Sequence, residues 1–343
     1  LSTLVFRRSG ITVEGVRSFV GRRKMAGFGG TLAAGCVGGA ILGLSALNHR
    51  LELSGDPEIR IGGEVRRFRW RGGDLAYTVA GEGEPVLLVH GIYAGASSFE
   101  YRKNFEKLSR SFRVYALDLL GCGLSERPRR RYEPEDVAAQ IEDFAREEIG
   151  KQTHLVASSL SAALAMPTLV RNPRLFKKIV LICPTGYRSL ERPSGRLGDA
   201  VYALFNAPVL GDSLYHGLVS RRGIRYYLER MAYHDPAFVM DDIVENYYLA
   251  GHGPGAKYFP AAFVSGKLNL DVANYWPRVP HRAMICWGQK AKTIPAGEIE
   301  VFLARNPRVV PRVFRDAALL PHDERAEAFN EEIRKFLVGG LRV

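Results

Sequence analysis

Residues 153–163 read Thr-His-Leu-Val-Ala-Ser-Ser-Leu-Ser-Ala-Ala. His154 to Ala157 have strand character and lead into a tight small-x-Ser-x-small turn, Ala157-Ser158-Ser159-Leu160-Ser161, after which a helix-like run begins. That is the layout of a nucleophile elbow, a sharp strand-to-helix turn that holds a serine hydroxyl above the sheet. Strand and helix approach closely at such a turn, so the flanking residues must be small. Ala157 and Ser161 meet that demand in place of the usual glycines. Ser159 is therefore the candidate nucleophile.

Working outward, the chain alternates strands with helices. Upstream, residues 58–71 and 74–80 read as two strands joined at Gly72-Gly73, an antiparallel start to a sheet. Pro85 to His90 is a short, continuous apolar run of the kind found in buried parallel strands. His90-Gly91-Ile92-Tyr93 opens a loop, and residues 97–110 carry helical periodicity. Phe112 to Leu117 predicts another strand, and Pro134 to Ile149 an acidic amphipathic helix with its proline in the first turn. Pro167 predicts a kink or an end in the helix after the elbow. Downstream, strands are expected at 178–183, 282–287 and 309–315, with helices at 295–305 and 323–337. Between about 186 and 276 the rhythm breaks into short, tyrosine-rich helical pieces. The expected fold class is α/β, a mostly parallel central sheet with helices on both faces and an inserted helical cap.

Five segments in this order resemble the α/β-hydrolase superfamily: Val86 to Gly91, Asp118 to Pro128, the elbow around Ser159, Trp287-Gly288, and Pro321-His322-Asp323-Glu324 before the last helix. The resemblance covers roughly residues 64–338. The Pro-His-Asp-Glu ending and the stretch Arg113 to Ser125 look closest to plastid and cyanobacterial members of the lid-bearing branch. The resemblance implies an oxyanion hole built from the backbone N–H groups of Ile92 and Leu160. Such donors supply about 3 to 4 kcal/mol of transition-state stabilisation.

The family pattern breaks where proton transfer should occur. A serine hydroxyl needs a histidine to take its proton and an acid to orient that histidine. The family acid normally lies four residues after a Trp, and here that position is Ala291. The family histidine normally precedes x-Pro-x-x-Glu, and with Pro321 and Glu324 fixing the register its position is Leu319. His322 is the one histidine in that loop and the candidate substitute base, its other reading being a structural or cap-contact residue. Losing the base of a serine triad costs on the order of 10⁶ in turnover, and losing the acid about 10⁴. The expected function is thus a hydrolase-fold protein with weak or absent triad hydrolysis that binds an apolar or amphipathic small molecule. The alternative is an active serine hydrolase, of esterase, lipase or acyltransferase type, in which Ser159 works with a displaced base such as His322.

Charge is unevenly spread over the 343 residues. Of a formal net charge of +12, residues 1–73 hold twelve Lys/Arg against five Asp/Glu. The rest is only mildly basic and has no aromatic-plus-basic motif, so no nucleic-acid partner is expected. Four cysteines show no metal or redox spacing, and neither metal nor cofactor is expected. Residues 1–24 form a basic leader ending in Arg22-Arg23-Lys24. Residues 25–48 form a charge-free segment, long enough to span a bilayer, in which Gly27, Thr31, Gly35, Gly39 and Gly43 recur every four residues. These features predict membrane localisation through a single N-terminal anchor, with secretion or organelle targeting after cleavage as the alternative. The hydrolase domain is expected over 58–338, with the cap at about 186–276.

Overall fold

A computed structural model describes residues 40–52 and 61–339. Residues 44–52 and 61–339 belong to one compact unit. The basic leader 1–24 and most of the predicted anchor, up to residue 39, lie outside the described residues. Residues 40–51 are helical. Among the described residues no helix is long and apolar enough to cross a membrane.

Eight strands make one sheet in the order β1-β2-β4-β3-β5-β6-β7-β8. β1 (Glu64–Trp70) and β2 (Gly73–Ala80) form the expected antiparallel hairpin, and β2 also runs antiparallel to β4 (Arg113–Leu117). β3 (Pro85–Val89), β5 (Thr153–Ser158), β6 (Phe176–Ile182), β7 (Arg282–Gly288) and β8 (Val309–Phe314) extend it in parallel. β3 and β5 are buried along their whole length. Helices cover both faces of parallel strands, which is why these segments are apolar without alternation.

The helices are α1 (Phe105–Ser109), α2 (Pro134–Asp143), α3 (Ser159–Arg171), α4 (Arg196–Asn206), α5 (Leu210–Leu218), α6 (Arg221–Tyr227), α7 (Asp241–His252), α8 (Tyr258–Val264), α9 (Ile299–Arg305), α10 (Pro321–Glu324) and α11 (Ala326–Val338). Helices α4 to α8 all lie between β6 and β7, where the sequence loses its β-α rhythm. Of the two outcomes expected at Pro167, the helix does not end: α3 runs through it to Arg171. Leu164, Ala165, Met166 and Leu169 on either side of the proline are fully buried. Packing of that kind outweighs the single backbone hydrogen bond a proline removes. A smaller difference concerns residues 97–110, which form a 3-10 turn at Ser98–Tyr101 and then α1 rather than one helix.

The sheet order places the site. β3 and β5 are neighbours with Val89 opposite Ala157, so the loop leaving β3 meets the turn leaving β5. Ligands of open α/β sheets lie outside the carboxyl ends of such strands.

Candidate active site

The elbow forms as the sequence predicts. β5 ends at Ser158 in extended backbone, and Ser159 opens α3 with φ 53°. That left-handed conformation costs a non-glycine residue on the order of 1–2 kcal/mol. It is held by the fully buried residues on both sides, Ala157, Leu160 and Ala162. Strain of this sort persists where the surroundings over-determine it, and it aims the Ser159 side chain off the end of the sheet.

Above this turn is a cavity of about 380 Å³. The β3 loop contributes Gly91, Ile92 and Tyr93, the elbow contributes Ser158 and Ser159, and the inserted helical stretch contributes Tyr227, Met231, Ala232, Tyr247 and Phe263. Leu319, Leu320 and Ile294 close it from the loops after β8 and β7. Most of this wall is apolar, as ligand sites are, with polar groups concentrated beside the elbow.

Each residue singled out in the sequence has a defined place. Ile92 lines the cavity, and its N–H makes no hydrogen bond among the described residues. Leu160 buries its side chain in the core, and its N–H lies in the first turn of α3, where no intrahelical acceptor exists. Leu319 lines the same cavity as Ser159, an apolar side chain at the position of the family histidine. Ala291 is buried in the β7 loop and does not reach the cavity. The structure nevertheless brings these two loops together, because Lys290 N donates to Ala317 O at 2.8 Å. Gly288 permits that approach, since a Cβ there would sit 1.9 Å from Ala318 O. The flanking Lys290 and Lys292 are exposed.

His322 is fully buried and does not line the cavity. Its Nε2 lies 3.2 Å from Glu100 Oε1. Glu100 itself, 2% exposed, is the residue that sequence reading missed. Its Oε2 accepts from Gly91 N at 2.8 Å and from the Tyr93 hydroxyl at 3.0 Å, and the Ser158 side chain lies close enough to help lower its pKa. Burial pushes the Glu100 carboxyl up, but the His322 imidazole, the Ser158 hydroxyl and the Gly91 N–H together hold it below the ordinary carboxylate value. The only hint in the sequence is an acid between two aromatic residues, Phe99 and Tyr101, in a run otherwise read as an amphipathic helix. Ser159 lies beside this network, and its hydroxyl forms no hydrogen bond among the described residues.

The rest of the Pro-His-Asp-Glu segment anchors the loop that carries Leu319. Asp323 contacts Arg102 at 2.5 Å and Lys103 at 2.9 Å and accepts from the Tyr233 hydroxyl. Burial raises the Asp323 carboxyl, and the Arg102 charge with the Tyr233 and Lys103 hydrogen bonds brings it below its usual value. Glu324 accepts from Ala318 N at 2.6 Å and His234 N at 2.8 Å. Leu319 N donates to Ala232 O at 3.0 Å. The loop is thereby fixed to the inserted helices and to the 3-10 turn that bears Glu100. Cys183 reaches the cavity as well, with its thiol pushed up to about 12 by burial, so it stays a neutral wall residue. Among the described residues no cluster of side chains could hold a metal ion.

The model of the alpha/beta hydrolase family matches residues 86–332, and the chain belongs to that family. An uncharacterized hydrolase of Bacillus subtilis is 23% identical over 277 residues, 80% of this chain and 97% of that protein. A 2-hydroxymuconate semialdehyde hydrolase of a Pseudomonas species is 28% identical over 63% of this chain and 73% of its own length. Among solved structures, a serine hydrolase from the polyaromatic-hydrocarbon-degrading bacterium Cycloclasticus zankles superposes with a TM-score of 0.68 at 19% identity, over 82% of this chain and all of that one. The structural likeness, at that identity, is one of fold.

Proposed function

We propose that this α/β-hydrolase-fold protein uses its covered cavity to bind an apolar or amphipathic small molecule and has lost efficient triad hydrolysis. The observation that carries the reading is the surroundings of Ser159: its hydroxyl makes no hydrogen bond among the described residues, and the apolar Leu319 lines the same cavity. The candidate substitute base, His322, turns its Nε2 to Glu100. An oxyanion hole at Ile92 and Leu160 without a base leaves about 10³ to 10⁴ over water, well short of ordinary esterase turnover. The apolar wall and the three tyrosines Tyr93, Tyr227 and Tyr247 suit a ligand with a hydrocarbon portion and one polar end. The charge-free segment 25–48 supports membrane association as part of the same proposal.

One observation favours the second reading, an active serine hydrolase. Glu100 is a buried carboxylate on the cavity wall, with Ser158 on the same wall and His322 Nε2 3.2 Å from it, so proton-accepting groups exist close to the elbow. The relatives that are named as hydrolases lend weight to it as well. Labelling of the purified chain by a fluorophosphonate separates the two. The binding reading expects no labelling of folded protein together with uptake of a fluorescent fatty-acid probe that Leu319→Lys weakens. Strong labelling that vanishes in Ser159→Ala overturns it in favour of the enzyme.

A further inference from the structure

The inserted helices expose a row of leucines that the cavity does not use. Leu210, Leu214 and Leu218 of α5 recur every four residues, so they share one side of the helix, and they are 51%, 41% and 43% exposed. α4 packs tightly behind them: a Cβ on Gly211 would sit 2.2 Å from Phe205 O and 2.9 Å from Leu204 O. Leu204 is itself 42% exposed. The helix over residues 44–51 joins the same surface. Asn48 Nδ2 donates to Val209 O at 2.9 Å, and the Ser213 hydroxyl donates to Asn48 Oδ1 at 3.1 Å. Leu44 and Leu47, within one turn of Asn48, are 40% and 51% exposed.

Single exposed leucines are ordinary, but several on adjoining helices make a patch of the kind that marks an interaction surface. Two features of the chain identify what it meets. The charge-free run that starts at Met25 ends in Leu44 and Leu47, so the patch continues the most lipid-like stretch of the sequence. The first exposed charges after the leucines are basic, including Arg50 after Leu47 and Arg222 after Leu218, with the exposed acid Glu52 beyond Arg50, while Asp212 on α5 is paired with Lys257. Apolar residues beside Arg or Lys are the composition of surfaces that settle about 5–10 Å into the headgroup–acyl boundary of anionic bilayers.

We infer that Leu44, Leu47 and the Leu210–Leu214–Leu218 side of α5 form a membrane-docking face, on which the inserted helices lie against an anionic bilayer. This differs from tethering by the N-terminal segment, which would leave α5 in water. It holds whether or not Ser159 turns a substrate over, so its failure and that of the proposed function are separate outcomes.

The test uses the full chain on phosphatidylcholine–phosphatidylserine vesicles with or without brominated acyl chains, which quench tryptophan only at membrane depth. Tryptophan is introduced singly as Leu214→Trp, Leu218→Trp and Val313→Trp, the last at an exposed site on β8. The docking face expects loss of most of the added emission at 214 and 218 and no loss at 313. Vesicle-bound protein with unquenched emission at both leucine sites overturns it, as does failure of the chain to bind vesicles at all. Self-association that Leu214→Glu abolishes, without quenching, also overturns it and assigns the face to a second copy of the chain. Near-ultraviolet circular dichroism verifies folding of each variant, and the two leucine sites serve as independent reporters.

Discussion

Ser158 and Ser159 are chain neighbours that sit in opposite chemistry. The Ser158 hydroxyl belongs to a buried polar network: Glu100 gathers Ser158, Gly91 N–H, Tyr93 and the His322 imidazole around one carboxylate. The Ser159 hydroxyl stands at the strained turn that would make it a nucleophile, in a cavity that Leu319 also lines. Under the proposed binding function, the polar groups gather around Ser158's neighbour Glu100 and not around the Ser159 hydroxyl. The lesson is that a carboxylate and an imidazole near an elbow do not by themselves make a triad, because proton transfer requires them within hydrogen-bond reach of the reacting oxygen.

The largest expected effect comes from breaking the network. Glu100→Leu leaves the buried imidazole and the Gly91 N–H without their acceptor, so unfolding free energy in urea should fall by about 3 kcal/mol or more. His322→Leu should cost a similar amount, while the double variant should be less destabilised than the sum of the two. If Glu100→Leu melts like the parent, the network is not holding the site.

The contrast can also be sharpened by giving Ser159 what Ser158 already has. Leu319→His places an imidazole on the cavity wall, and adding Ala291→Asp supplies an acid in the neighbouring loop. The pair should raise hydrolysis of a p-nitrophenyl ester by about 100-fold or more over the parent, the scale of general-base assistance. A parent already as fast as the variant would show that proton transfer was never missing.

Acid titration provides a subtler comparison. Glu100 and Asp323 are held below their ordinary values when folded, so the stability they contribute is present above the ordinary carboxylate range and lost as pH falls through their folded values. Glu324 is raised by burial, so its contribution runs the other way, present below its ordinary value and lost as pH rises through its folded one. Two depressed groups against one raised group predict a fall in thermal midpoint below about pH 4, and Glu100→Gln should flatten part of that slope. The smallest effect is local. Ser159→Gly relieves the left-handed backbone and should stabilise the fold by at most about 1 kcal/mol, without altering the network at Glu100.

Much of this was legible in the residues. The apolar runs of β3 and β5, the small-residue turn at Ser159 and the loop after His90-Gly91 each depend on local sequence, and together they fix which strands lie side by side. The proposed replacements at Ala291 and Leu319 also rest on sequence register, set by Trp287-Gly288 and Pro321-x-x-Glu324. Pro167 left a kink or an end open, and packing on both sides of the buried helix excludes the end.

Glu100 was out of reach for the opposite reason. Its meaning depends on Gly91, Tyr93, Ser158 and His322, which come from four separate segments, and an acid between aromatic neighbours looks solvated until those segments converge. Sequence by itself determined the sheet and the elbow, because each is written in short-range spacing. Only the tertiary structure decided that His322 faces a carboxylate instead of the nucleophile, because burial and partner choice arise when distant segments close around one another.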